Sequence, residues 1–147
     1  MPAASFHYVS VDAMPSSLWI WPHIDPRKEW ADSEDGSILV VPSTLDRFET
    51  LRRACGFALP INSGYRTPAH NARVSNKNSG LTGPHTKARA CDIGLYGGRA
   101  LIVVTVAAKL GYTGFGVQQD GPQATRYIHL DDLETSPAEP RPTVWSY

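Results

Sequence analysis

The sequence predicts a single small α+β domain, with a central, mostly antiparallel sheet and flanking helices. The chain has 147 residues, the usual size of one domain. Helical and strand-like segments are mixed without the strict strand–helix–strand order of a parallel sheet, and the 12 Pro and 12 Gly indicate short elements joined by many turns. We expect one domain over residues 1–147, with its core at about 19–132 and a Pro-rich tail at 133–147 that wraps the surface.

The first half of the chain contains one clear helix. Residues 7–9 favour a short edge strand, and Asp25–Pro26 can begin a short helix that continues to residue 30. Apolar residues at helical spacing then predict a helix over 43–55, with Ser43 as its N-cap and Asp46 as the acidic partner of a capping box. Gly56 is a typical residue to end this helix.

The second half mixes short strands and helices. Strands are predicted at 58–63, 90–95, 114–118 and 126–131, and helices at 67–74 and 99–110. The centre of the last helix, residues 102–106, is rich in β-branched residues that also favour strands. The sequence leaves open whether Cys55 and Cys91 pair.

Composition excludes several classes of function. Lys and Arg total 14, as do Asp and Glu, so the formal net charge is zero. Proteins that bind nucleic acid or anionic membranes depend on a basic excess, so neither is an expected partner. The longest apolar run, Leu101–Val106, is far shorter than the roughly 18 residues of a membrane span. The N-terminus lacks a basic start followed by an apolar core, so we expect no signal peptide, and we expect a monomer.

Three residues form a candidate metal site. His85 and Asp92 are seven residues apart, which suits one ligand at the end of a loop and a second on the next strand. His129 follows in a strand that reads Tyr-Ile-His-Leu-Asp. Two imidazoles and one carboxylate are a common ligand set for catalytic Zn²⁺, although a histidine in such a strand is often only a packed core residue.

An arginine lies in a second candidate segment, Ser63–Pro68, which reads Ser-Gly-Tyr-Arg-Thr-Pro. Gly64 allows a tight turn after a strand, and Arg66 follows at the start of a helix. A guanidinium there can hold a substrate carboxylate or carbonyl, or it can simply brace the loop.

Together these segments resemble the zinc peptidases of the D-Ala-D-Ala carboxypeptidase and L-alanyl-D-glutamate endopeptidase family. That family has a motif close to Ser-x-His-x-x-Gly-x-Ala-x-Asp and a late histidine in a strand. The wider group includes the murein endopeptidases and the hedgehog signalling domain. The resemblance extends from about Trp21 to His129, and more loosely to Trp145.

The resemblance implies a site and an activity. His85, Asp92 and His129 match the family's Zn²⁺ ligands, and Arg66 matches the arginine that steadies the substrate carbonyl. The substrates of this family are peptidoglycan stem peptides, and many relatives are phage or bacterial lysins. We therefore expect a zinc-dependent carboxypeptidase or endopeptidase that is made in the cytoplasm and acts on the cell wall, in host-cell lysis or on a virion.

The chain departs from the family pattern at four positions. Gly83 replaces the motif's serine, and Ala88 replaces its glycine, which matters if the backbone there needs a positive φ. Arg126 stands three residues before the last ligand, where many members have an acidic general base. Tyr127 replaces a histidine found in some relatives.

A proton acceptor must therefore come from elsewhere. Asp131 is the first candidate because it shares a strand face with His129, although it could instead orient that ring. Asp120 and His70 are the other candidates. Two further hypotheses stay open: a non-catalytic cell-wall binding or structural module of the same fold with a bound metal, which Arg126 favours, and a metal-free structural domain.

Overall fold

The computed structural model describes residues 3–75 and 80–147. Its helices and strands are, in chain order, β1 (Phe6–Tyr8), β2 (Ile38–Val40), α1 (Pro42–Cys55), β3 (Ile61–Ser63), α2 (Pro68–Val74), β4 (Ala90–Ile93), α3 (Gly97–Lys109), β5 (Gly114–Gln118), β6 (Tyr127–Asp131) and β7 (Thr143–Ser146). Single helical turns lie between them, including Pro26–Trp30 and the 3₁₀ turn Pro84–Lys87.

The main sheet has five strands in the order β3-β4-β6-β5-β7, and β1 pairs with β2 in a separate two-stranded sheet. Within the part of the chain that the structure describes, the pairs β3–β4, β4–β6 and β6–β5 are antiparallel, and the pair β5–β7 is parallel. The predicted α+β class with a mostly antiparallel sheet is confirmed.

Two strands were not predicted, β2 before α1 and β7 near the end of the chain. β7 lies in the Pro-rich tail, and its backbone pairs with β5 at the edge of the sheet. Edge strands can accommodate irregular composition because only one side of the strand must pair. The tail therefore extends the main sheet by one strand.

The start of α1 also differs from the prediction. The helix begins at Pro42, its N-cap is Val41 without a side-chain cap, and Ser43 lies inside the first turn. Proline at the first helical position has a suitable φ and needs no hydrogen-bond acceptor for its nitrogen. Asp46 accepts a hydrogen bond from the Trp21 indole and forms no capping box. The predicted end is confirmed, since Gly56 is left-handed with φ 74°.

The hydrophobic core fixes the sheet against the helices. α1 and α3 pack on each other, and α3 also contacts β6. The largest fully buried apolar side chains are Trp30, Phe48, Ile38, Leu45, Leu51, Ile93, Ile128, Leu130, Val40 and Val103. In β6 the side chains of Ile128 and Leu130 therefore alternate with those of His129 and Asp131, which point to the other face.

Strand register positions the polar side chains. Asp92 of β4 lies opposite His129 of β6 on one side and Ser63 of β3 on the other. Gly116 of β5 lies opposite His129 from the other direction. Cross-strand partners share a face, so the register brings Asp92 and His129 together.

The cysteines, Ala88 and the lengths of the helices bear on three further predictions. Cys55 and Cys91 are both free thiols. Ala88 has φ 52°, so the backbone does adopt the left-handed conformation that the family's glycine would favour. Among the described residues, no helix is both long and apolar enough to cross a membrane.

Candidate metal centre

His85 has one nitrogen committed and the other available. It lies in the 3₁₀ turn before β4, and its Nδ1 is 2.7 Å from the carbonyl oxygen of Gly64. A carbonyl only accepts, so Nδ1 holds the proton and the lone pair lies on Nε2. That Nε2 is 3.3 Å from Oδ1 of Asp92.

His129 is oriented in the same way with its nitrogens exchanged. Its Nε2 donates to Oδ2 of Asp131 at 2.9 Å, and its Nδ1 lies 3.1 Å from Oδ1 of Asp92. The three side chains His85, Asp92 and His129 are all buried, and the two imidazole rings meet edge to face at 5.1 Å. One atom of each residue therefore points at a shared centre.

The three ligand atoms fit Zn²⁺. In a tetrahedral site with bonds of about 2.0–2.1 Å, ligand atoms lie roughly 3.3 Å apart. The two imidazole nitrogens lie 3.3 and 3.1 Å from the Asp92 oxygen, which is close to this spacing. Each histidine also donates its second N–H to an oxygen, the outer hydrogen bond usual for metal-binding histidines. Among the described residues, this is the one group of His, Cys, Asp and Glu side chains compatible with a metal ion.

Burial and charge set the protonation states of this cluster without a metal. Burial opposes ionisation of Asp92, but the neighbouring His85 and His129 outweigh it and hold the pKa of Asp92 well below its usual range. Burial lowers the pKa of His85. Burial also acts against the charged form of His129, but hydrogen bonds to Asp131 and Asp92 outweigh it and raise the pKa of His129 to about 9. An ion bound at His129 Nδ1 would thus replace a proton.

Asp131 is held behind His129 by an arginine. The Nε and Nη2 atoms of Arg141 lie 2.8 Å from its two oxygens, and the side chain of Asp131 has no exposed area. Burial would raise the pKa of this carboxyl, but His129 and Arg141 lower it to about 2. Both oxygens of Asp131 have partners and the carboxylate stays ionised, so Asp131 is a poor proton acceptor. Its contacts instead indicate that it orients the His129 ring.

Arg66 holds the second oxygen of Asp92. Its Nη2 donates to Asp92 Oδ2 at 3.0 Å, while Nε donates to Ser63 Oγ at 2.9 Å and Nη1 donates to Asn71 Oδ1 at 3.2 Å. Ser63 ends β3 and Asn71 lies in α2, so two elements fix the guanidinium at the cluster.

The cluster opens into a cavity of about 560 Å³. Arg66, His85, Asp92 and His129 line it. The tail supplies further lining residues, which are Ala138, Glu139, Pro140, Arg141, Thr143, Trp145 and Tyr147. A peptide bound in this cavity would contact both the cluster and the tail.

The other two predicted proton acceptors lie outside the cavity lining. Nδ1 of His70 is 2.8 Å from Asp32 and its Nε2 is 3.3 Å from Glu34, so both ring nitrogens of this buried side chain have polar partners away from the cavity. Asp120 is exposed in the turn before β6, where its Oδ1 accepts a hydrogen bond from the Gly121 amide. The structure does not bring Asp120 or His70 to the cluster.

Arg141 and Trp145 lie near the cluster, although the sequence assigns neither of them a role there. The Trp145 ring lies 5.1 Å from the His129 ring, and the Arg141 guanidinium lies over Trp145 at 5.5 Å. Both residues are in the tail, so only the parallel pairing of β7 brings them to the site. A single arginine between two prolines gives no sequence signal of this role.

Comparison with known protein families gives a match over most of the chain. A family model described as Peptidase M15 matches residues 25–131, which include His85, Asp92 and His129. No curated protein and no solved structure gives a significant match to the chain.

Proposed function

The chain belongs to the peptidase M15 family, and from this premise we propose that it is a zinc-dependent hydrolase of peptide bonds in peptidoglycan stem peptides. The observation that supports the proposal best is the buried cluster of His85, Asp92 and His129. Nε2 of His85 and Nδ1 of His129 both face the same carboxylate oxygen, an arrangement that metal binding explains and packing alone does not require. The proposal includes either carboxypeptidase or endopeptidase action, in cell lysis or on a virion.

The residues present fit the metal. Nε2 of His85, Nδ1 of His129 and Oδ1 of Asp92 would hold Zn²⁺, which supplies a Lewis acid that lowers the pKa of water and polarises a carbonyl. Asp131 orients His129 and keeps the proton on its Nε2. The Gly64 carbonyl does the same for Nδ1 of His85.

Arg66 has two roles in this proposal. It holds Asp92 by one amino group, and its positive charge lies in the cavity lining beside the ligands. A fixed cation there stabilises negative charge that develops on the substrate carbonyl oxygen, and such electrostatic stabilisation is a large part of hydrolytic catalysis.

One observation favours a non-catalytic module of the same fold. Arg126, at the position of the family's acidic base, is half-buried, and its Nε donates to the Gly121 carbonyl at 2.9 Å. It cannot accept a proton, so a chain that relied on this position alone would bind metal without turnover.

Metal content and turnover on the same preparation test the proposal. We expect about one Zn²⁺ per chain by elemental analysis, and new amino groups released from purified peptidoglycan sacculi. Asp92→Ala should lose both, while Asp120→Ala, an exposed aspartate outside the cavity lining, should retain both. Zinc without release of amino groups would support the binding module, and a folded protein that takes up no zinc would overturn the metallopeptidase.

A further inference from the structure

We propose that Glu139 is the proton acceptor for the attacking water, an inference that rests on the proposed peptidase function. Hydrolysis by this kind of site needs a side chain that takes a proton from water and later gives it to the leaving amine. Among the described residues that line the cavity, the carboxylates are Asp92, a predicted ligand, and Glu139. Glu139 is therefore the remaining carboxylate placed to do this.

The tail holds Glu139 from the side of His85. The Glu139 carboxylate pairs with Nζ of Lys87 at 2.5 Å. Lys87 ends the 3₁₀ turn Pro84–Lys87, and this same turn presents His85. The ion pair thus connects Glu139 to the segment that positions one predicted ligand.

The tail also holds Glu139 from the side of His129. Arg141, two residues further on, forms an ion pair with Asp131, and Asp131 is hydrogen-bonded to His129. Before it, the Ser136 amide donates to the Glu139 carbonyl at 3.1 Å, and the Glu139 amide donates to Ser136 Oγ at 3.0 Å. Glu139 is thus held between Lys87, near His85, and Arg141, which contacts the partner of His129. Its side chain is only 20% exposed.

The proton balance of the reaction is complete with these groups. Glu139 takes one proton from water as the water oxygen bonds to the carbonyl carbon. The carbon–nitrogen bond then breaks, and Glu139 returns the proton to the leaving nitrogen. Lys87 holds the carboxylate in place through this cycle, and Arg66 faces the carbonyl oxygen.

Glu139→Gln tests the inference, because it keeps the size of the side chain and removes its ability to accept a proton. We expect kcat/KM on sacculi to fall about 10²–10⁴-fold, the range for loss of a general base. Zinc stoichiometry should be unchanged and zinc affinity should stay within about threefold, because Glu139 is not a ligand. The matched control is Glu134→Gln, an exposed tail carboxylate outside this cavity, which should keep wild-type activity.

Lys87→Met distinguishes proton transfer by Glu139 from a purely structural role of its ion pair with Lys87. It breaks the same ion pair and leaves the carboxylate, so we expect a loss of less than about tenfold. An equal loss in Lys87→Met and Glu139→Gln, a zinc affinity at least tenfold weaker in Glu139→Gln, or near-normal turnover in Glu139→Gln would each overturn the inference. In the last case, wild-type zinc content and turnover would leave the peptidase proposal standing. A wild-type protein without turnover would overturn both.

Discussion

The Nε2 atom of His129 donates to Oδ2 of Asp131 at 2.9 Å, within one strand and on one face of it. The same Asp131 oxygen also accepts from Arg141 at 2.8 Å. This carboxylate therefore determines which nitrogen of His129 is free for an ion. A carboxylate–histidine pair of this kind fixes both the tautomer and the ring orientation of a metal ligand.

The first prediction concerns Asp131. Replacing it by Asn keeps the size of the side chain but removes the charge that pairs with Arg141 and orients His129. We expect zinc affinity to fall about 10–100-fold, the usual effect of losing an outer hydrogen bond to a ligand. Competition with a chromophoric chelator measures this change. Asp120→Asn is the matched control, and equal zinc affinities in the two variants would contradict the orienting role.

The strands at the centre of the main sheet could be predicted from the sequence because their composition and the turn residues around them agree. β5 has the predicted bounds, and β4 and β6 differ from their predicted ranges only at one end. Candidate ligands at the end of a loop and on two strands could be expected from the order of His85, Asp92 and His129. The lengths of these strands follow from alternation and turn residues, which are local properties of the chain.

The tail could not be predicted in the same way. The role of Arg141 depends on its contact with Asp131, and that contact depends on the parallel pairing of β7 with β5. Such pairing is non-local and leaves no periodic pattern in a segment rich in proline. The ambiguity over Asp131, base or orienting group, also needed the geometry, because sequence spacing cannot show that an arginine occupies both oxygens.

The second prediction concerns Gly114, which is buried in β5 opposite Asp131. A Cβ at this position would overlap the Asp131 carboxylate, so Gly114→Ala must displace it from Arg141 and His129. We expect a loss of about 1–3 kcal/mol in the free energy of unfolding, typical of overpacking, and weaker zinc binding.

Gly98→Ala is the matched control for Gly114→Ala. Gly98 is exposed in α3, and a Cβ there would have no neighbour within 4 Å. It should stabilise the protein by about 0.4–1 kcal/mol, because alanine restricts the unfolded chain more than glycine does. Chemical denaturation of both variants measures the difference, and equal stability would contradict the close packing of β5 against Asp131.

The third prediction concerns the pH dependence of zinc binding. The pKa of His129 is raised to about 9, chiefly by Asp131 and Asp92 acting against burial, so a proton occupies its Nδ1 at neutral pH without the metal. Zinc must displace that proton, and its affinity should therefore increase with pH up to about 9, by roughly tenfold per unit. Chelator competition between pH 6 and 8 tests this, and an affinity independent of pH would contradict it.

The last prediction concerns Asp32, a buried carboxylate that is hydrogen-bonded to the beginning of α2. It accepts hydrogen bonds from the Thr67 amide at 2.7 Å, from the His70 ring at 2.8 Å, and from the amides of Glu34 and Asp35. Burial alone would raise its pKa, but these donors lower it to about 2, from an ordinary 3.8. The ionised form is therefore favoured in the folded protein.

A depressed pKa in the folded state gives a stability contribution that is fully present above about pH 4. It is lost as the pH falls toward 2, where the folded state also takes up the proton. The difference between the two pKa values corresponds to about 2 kcal/mol. Asp32→Asn should be less stable than the wild type at pH 7, and its stability should fall less steeply between pH 4 and 2. Urea denaturation over this range measures both slopes, with the exposed Asp120→Asn as control, and parallel slopes in Asp32→Asn and the wild type would show that Asp32 is not the group responsible.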